Sequence, residues 1–208
     1  MTSPRWRIIV PLKASARGKS RIDVPASDRR DLALAMAQDT VDAARGCGTV
    51  LAVVEDPVDG AALADLSGVT VHVTQVRGLN ESILDGLGVL LGADKRAPVA
   101  VLPGDLPALR TEELSEALRL SAAHRFAVVA DHEGIGTTLL AAFDPTSLTP
   151  AYGTDSYHRH LRAGAVPIEL PPTSGLRMDV DTAADLSGTP GPRTRDVLRR
   201  MALVGEPD

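Results

Sequence analysis

Apolar residues fall along this chain in two alternating patterns, short unbroken runs and longer stretches in which they recur every three or four positions. Ile8-Ile9-Val10, residues 50–54, 99–102 and 126–130 are runs of the first kind. With no polar alternation, such runs suit parallel strands covered on both faces. Between them, Leu32, Ala35, Met36, Val41 and Ala43, and then Ile83, Leu84, Leu87, Leu90 and Leu91, carry helical spacing. Strand and helix patterns alternating from end to end predict an α/β fold built from βαβ units. The predicted strands are 7–12, 50–54, 69–76, 99–102, 126–130 and 166–170. Ser27 reads as the N-cap of the first long helix, with Asp28 and Asp31 in its acidic first turn and Gly46 and Gly48 at its end; Thr111 reads as a later N-cap. After Asp131 the rhythm breaks. The apolar stretch 139–143 is surrounded by Gly134, Gly136, Pro145, Pro150 and Gly153, and is expected to elaborate the sheet edge rather than form a regular unit. A short helix at 155–163, another at 182–186 and an amphipathic C-terminal helix at 193–203 complete the prediction of one domain over 1–208, with its core at about 6–187.

Composition narrows the function classes. A chain of 208 residues that is 44% hydrophobic can bury a substantial core, and a net charge of −5 without a basic run argues against a nucleic-acid surface. Trp6, Phe126, Phe143, Tyr152 and Tyr157 are the only aromatics, too few for a stacking platform. Cys47, the only cysteine, excludes an internal disulfide or a cysteine-rich zinc site, and it is expected to be a buried or half-buried spectator. The first strand starts too early to leave room for a signal-peptide core, and no apolar stretch is long enough for a bilayer. The expectation is a cytoplasmic protein without membrane or nucleic-acid partners.

The candidate chemistry lies where strands end. Leu102-Pro103-Gly104-Asp105-Leu106-Pro107 carries a buried strand into a turn with an acid at the carboxyl edge of the sheet. Ligands of open α/β sheets bind at that edge, and an acid there holds a metal ion or a ligand hydroxyl, or else simply shapes the turn. The loop after the first strand gathers Lys13, Arg17, Lys19 and Arg21 around Gly18, a local cationic pocket suited to a polyphosphate. Gly18-Lys19-Ser20 matches the tail of a P-loop. Lys13, however, stands where the first glycine belongs, and Asp23-Val24-Pro25 separates the loop from its helix, so a P-loop NTPase is rejected. Asp179 and Asp181 share a face only in extended or turn geometry, and Asp181 has capping of the 182–186 helix as its alternative role. His158 and His160, two residues apart, fall on different helix faces and make an improbable metal pair; His72, His124 and His132 stand alone and are read as surface or hydrogen-bonded residues.

Taken in order, Val10-Pro11-Leu12-Lys13, Lys19-Ser20-Arg21, Arg30-Asp31-Leu32-Ala33, Gly78-Leu79-Asn80, the Asp105 motif, Gly136-Thr137-Thr138 and Asp179-Val180-Asp181-Thr182 resemble one family. It is the phosphoenolpyruvate or 2-phospho-L-lactate guanylyltransferases that begin assembly of the deazaflavin coenzyme F-420. The resemblance implies a single-domain nucleotidyltransferase fold, similar to that of the nucleotide-diphospho-sugar transferases, with a mixed, mainly parallel sheet flanked by helices. It also implies transfer of GMP from GTP to a three-carbon phosphoacid, with Mg²⁺ and release of pyrophosphate. On that basis Lys13, Lys19 and Arg21 would hold the GTP phosphates, Lys13 and Lys19 acting in catalysis with Asp105. Gly78 and Asn80 would hold the nucleoside, and Asp105 with Asp179 or Asp181 would bind the metal. Thr137, Thr138, Gly153 and Ser156 would surround the phosphoacid. Handover of a labile product to the downstream deazaflavin transferase is a further implication. The acceptor stays open among phosphoenolpyruvate, 2-phospho-L-lactate and 3-phosphoglycerate, as does the oligomeric state. A cofactor phosphate or sugar phosphate as acceptor, and a non-catalytic nucleotide-binding regulator on the same scaffold, are the competing readings.

Overall fold

The computed structural model describes residues 5–12, 24–94, 96–187 and 189–204. Its elements run β1 (Trp6–Leu12), α1 (Ala26–Arg45), β2 (Gly48–Val54), α2 (Pro57–Ala64), β3 (Val69–Val73), α3 (Leu79–Ala93), β4 (Val99–Val101), α4 (Thr111–Ser121), β5 (Phe126–Ala130), β6 (Thr137–Ala142), α5 (Ser156–Arg162), β7 (Val166–Pro167) and α6 (Pro192–Val204), with short 3₁₀ turns between. The strands form one seven-stranded sheet in the order β3-β2-β1-β4-β6-β5-β7.

β1 is central because it is apolar on both faces. Ile8 and Val10 pack with Val41, Leu63, Leu114 and Leu118 on one side of the sheet, and Ile9 packs with Ile83 and Leu87 on the other. Its neighbours β2 and β4 are both parallel to it, so the chain order reverses across β1 and leaves a crevice at the carboxyl ends of β1 and β4. A third cluster of Leu32, Met36, Val180 and Val197 joins α6 to α1. The amino end of α6 is closed by Asp39 of α1, whose carboxylate accepts from the backbone N–H of Arg193 at 3.2 Å and of Thr194 at 2.9 Å. No helix among the described residues is long and apolar enough to cross a membrane.

Several local expectations need correction. The stretch after Asp131 is no edge elaboration: β6 is buried along its whole length and runs antiparallel between β4 and β5, inside the sheet. Its turn-rich flanks build the reversal that lets an apolar run enter a parallel sheet in the opposite sense. Neither predicted N-cap acts as one. α1 starts one residue before Ser27, after Pro25, and the Thr111 hydroxyl donates to the Ala43 carbonyl at 3.1 Å, tying α4 to α1. The short helix that the apolar spacing predicts over 61–66 is α2, which starts earlier, at Pro57, where the Asp56 side chain accepts from Val58 N–H. β3 stops at Val73 and β7 spans only Val166–Pro167. Cys47 is half-buried with its thiol directed at the Thr111 carbonyl, and burial followed by the nearby Glu112 pushes its pKa up to about 11, which suits the spectator role.

Candidate active site

The topology brings several chain segments to one edge of the sheet. β4 and β5 end there, and because β6 is antiparallel to both, its amino end lies there as well. Asp105 follows β4, Asp131 follows β5, and Thr137 opens β6.

The Asp105 turn is fixed from below. Leu102 N–H extends the ladder to Ile9, and Leu106 N–H donates to the buried Thr40 hydroxyl, with Leu102 and Leu106 fully buried on either side of the half-buried acid. Val180 N–H donates to the Asp105 carbonyl at 3.0 Å, which draws residues 179–181 onto the same turn. The two acidic motifs, far apart in sequence, are therefore adjacent. Asp131 joins them. Its carboxylate folds the following turn by accepting from Ile135 N–H at 2.9 Å and Gly136 N–H at 2.6 Å, while Arg177 donates to its carbonyl at 2.8 Å.

This concentration of acids shows in Asp179. Burial, then the negative charges of Asp105, Asp131 and Asp181, push its pKa up to about 7. Its Oδ1 is buried without a hydrogen bond, and the His132 ring lies 3.7 Å away. A buried carboxylate oxygen with no donor, held among other carboxylates, is electrostatically costly alone and suited to a cation. The donor set is all oxygen, which fits a hard divalent ion such as Mg²⁺. Among the described residues no three His, Cys, Asp or Glu side chains converge as a ligand cluster that could hold a metal ion by itself.

Beside the acids lies a hydroxyl and amide cluster. Thr137 Oγ1 lies 2.9 Å from His160 Nδ1 and 3.2 Å from Ser156 Oγ. A register shift between Val129 and Ala130 sets Thr138 apart from the ladder, and its hydroxyl turns to the Ala130 carbonyl at 3.4 Å. Asn80, at the start of α3, clasps the backbone of Tyr152 in both directions, accepting from its N–H at 2.8 Å and donating to its carbonyl at 3.1 Å. Gly78, which precedes α3, and Gly153, beside Tyr152, adopt φ values of 108° and 118°, backbone that other residues rarely reach. The Tyr152 hydroxyl is buried without a hydrogen bond, and burial and then the charge of Asp105 push its pKa upward.

Asp105, Asp179 and Asp181 are thus brought together, as are Thr137 and Ser156, and Asn80 is joined to the Tyr152–Gly153 segment. Lys13, Lys19 and Arg21 lie outside the described residues. Sequence reasoning missed Asp131, Tyr152 and the contact of His160 with Thr137. The four-residue spacing of Ser156 and His160 was the available signal for the last, since it places both on one helix face. His158 points away, bonded to Asp155, as the two-residue spacing implied. Concavities of about 350 Å³ beside Arg193 and about 510 Å³ beside Phe126 are lined by none of these residues.

This architecture is that of the nucleotidyltransferases. A Desulfovibrio desulfuricans protein assigned to the nucleotide-diphospho-sugar transferases superimposes with a TM-score of 0.72 at 18% identity, covering 97% of both chains. A nucleotidyl transferase from Methanothermobacter superimposes with a TM-score of 0.61 at 19% identity, covering 94% of this chain and 99% of that one. Within that class the chain belongs to the CofC-like guanylyltransferases: residues 6–204 match the family described as "Guanylyl transferase CofC like". The phosphoenolpyruvate guanylyltransferase of Streptomyces coelicolor is 41% identical over 97% of this chain and 100% of its own length. That of Streptomyces avermitilis is 43% identical over 97% of each.

Proposed function

We propose that the protein transfers GMP from GTP to phosphoenolpyruvate with release of pyrophosphate. The carrying observation is the juxtaposition at one sheet edge of the Asp105–Asp179 acids and the Thr137–Ser156 hydroxyls, in a chain 41% identical along its length to a phosphoenolpyruvate guanylyltransferase. A phosphate oxygen of the acceptor attacks the α-phosphorus of GTP, a new P–O bond forms, and the bond to the bridging oxygen breaks as pyrophosphate departs. The nucleophile is already an anion, so no general base is required, and catalysis reduces to alignment and charge compensation.

Asp105 and Asp179 would hold Mg²⁺, with Asp181 at the rim; the ion would neutralise charge on the phosphate oxygens. Lys13, Lys19 and Arg21 belong to this reading as cations for the triphosphate. Gly78 and Asn80 shape the nucleoside side, where Asn80 fixes the Tyr152 segment. Thr137, Thr138, Gly153 and Ser156 surround the phosphoacid. A labile phosphoanhydride product suits direct handover to the downstream deazaflavin transferase, and a cytoplasmic location suits both substrates.

The test is pyrophosphate release with Mg²⁺ and GTP, offering phosphoenolpyruvate, 2-phospho-L-lactate and 3-phosphoglycerate separately. ATP and CTP serve as nucleotide controls, and the downstream transferase is added in parallel to draw off product. GTP-dependent turnover with phosphoenolpyruvate is the expected result. Turnover with another acceptor alone, or none with any, overturns the assignment.

A further inference from the structure

The hydroxyl cluster contains a directional device. His160 is fully buried, with 0% of its surface exposed, and both ring nitrogens are engaged. Ala151 N–H donates to Nε2 at 2.8 Å, so Nε2 must carry the lone pair. Burial, assisted by the Arg159 charge, holds the ring's pKa down at about 4, so it is neutral in ordinary conditions and its single proton resides on Nδ1. Nδ1–H therefore donates to Thr137 Oγ1, 2.9 Å away. The ring is steadied by edge-on packing against Tyr152, with centroids 5.2 Å apart.

The consequence falls on the hydroxyl pair. Thr137 and Ser156 are 3.2 Å apart and share one hydrogen bond. Because Thr137 already accepts from His160, it has no use for its proton on the histidine side. If Ser156 donates to Thr137, the Thr137 O–H is left to donate outward; if Thr137 donates to Ser156, the Ser156 O–H is. One outward donor remains either way. With the opposite tautomer, Thr137 would donate to Nδ1 and Ser156 to Thr137, and the pair would present only lone pairs. An anion needs the first arrangement.

We propose that His160 is a positioning residue whose ring, locked by the Ala151 N–H, fixes the Thr137–Ser156 pair as a hydrogen-bond donor toward the anionic acceptor substrate. This rests on the placement of Thr137 and Ser156 at the phosphoacid site. Sequence spacing alone does not reveal it, because the tautomer is set by a backbone N–H on a different segment.

Steady-state kinetics of Thr137→Val, His160→Leu, the double variant and His160→Asn test the proposal. Leu removes both ring nitrogens at similar bulk, whereas Asn can return an N–H near the Nδ1 position. Thr137→Val should raise KM for phosphoenolpyruvate about tenfold or more, the loss expected for a hydrogen bond to a charged group, and His160→Leu should raise it by a smaller factor of at least about threefold, because the hydroxyl pair keeps its protons but loses its fixed orientation. KM for GTP should stay within about twofold. The double variant should be no worse than the weaker single, and His160→Asn should recover most of the affinity. Nitrogen NMR of the imidazole should show Nδ1 protonated and Nε2 unprotonated at neutral pH. An unchanged phosphoenolpyruvate KM in Thr137→Val defeats the placement of Thr137 at the acceptor site. A raised KM in Thr137→Val with none in His160→Leu, or effects that multiply in the double variant, defeats the role of His160 alone. So does the opposite tautomer, or equal rises in both KM values for His160→Leu.

Discussion

Asp179→Asn should make the protein more stable and less active at once. The side chain is 25% exposed and surrounded by Asp105, Asp131 and Asp181, and burial with these charges moves its pKa from the ordinary 3.8 to about 7. A rise of that size corresponds to roughly 4 kcal/mol at about 1.36 kcal/mol per pH unit, and partial solvent screening brings the figure to about 2 kcal/mol. The sign follows from linkage. Between the two values the native state holds a proton that the unfolded state has lost, so stability falls as pH rises through this window, and the penalty is complete above about 7. Asparagine keeps the shape and removes the charge. At about pH 8 with a chelator present, its melting temperature should exceed that of the native sequence by about 4–8 °C, at about 2–4 °C per kcal/mol for a chain of this size. Added Mg²⁺ should raise the melting temperature of the native protein and leave the variant nearly unmoved, while pyrophosphate release falls by orders of magnitude. Differential scanning calorimetry with and without Mg²⁺ reads the first two effects. A variant that melts at or below the native temperature in chelator refutes the electrostatic argument. An equal Mg²⁺ response in both proteins refutes the metal assignment.

Other perturbations probe separate parts of the structure. Asp39→Ala removes the acceptor for two N–H groups at the start of α6, one of them on the fully buried Thr194, and should cost about 2–4 kcal/mol in denaturant unfolding, with Asp39→Asn losing less. Tyr152→Phe deletes a buried hydroxyl that has no hydrogen-bond partner and should stabilise the ligand-free protein by up to about 1 kcal/mol in thermal melts. His160 contributes stability that is complete above its unfolded value of 6.5 and disappears as pH falls toward about 4; its folded pKa is depressed, so the unfolded state takes up the proton first. His160→Asn should therefore flatten the acid side of the stability profile by as much as about 3 kcal/mol, measured by denaturant unfolding at a series of pH values.

What the sequence made legible, and what it hid, follows from strand direction. Asp105 could be placed because it terminates an unbroken apolar run, and every parallel strand presents its carboxyl end to the same edge. The acids at 179 and 181 carry a weaker signal: a backbone bond from Val180 to Asp105 helps bring them to the turn, and no side-chain pattern encodes it. The direction of β6 is harder to read and matters more. Residues 139–143 contain the apolar run of a buried strand, but the glycines and prolines around them read as loop punctuation, and the strand's reversed direction is invisible in a periodicity that has no arrow. That reversal determines the site. A parallel strand at the position of β6 would bring its carboxyl end, near Ala142, to the acids and leave Thr137 on the far side of the sheet. Running antiparallel, it delivers its amino end instead, so that Thr137 meets Ser156 and His160 next to the Asp105 turn. The hydroxyls and the carboxylates are neighbours because one strand enters the sheet backwards, and a Gly-rich turn held by Asp131 makes that entry possible.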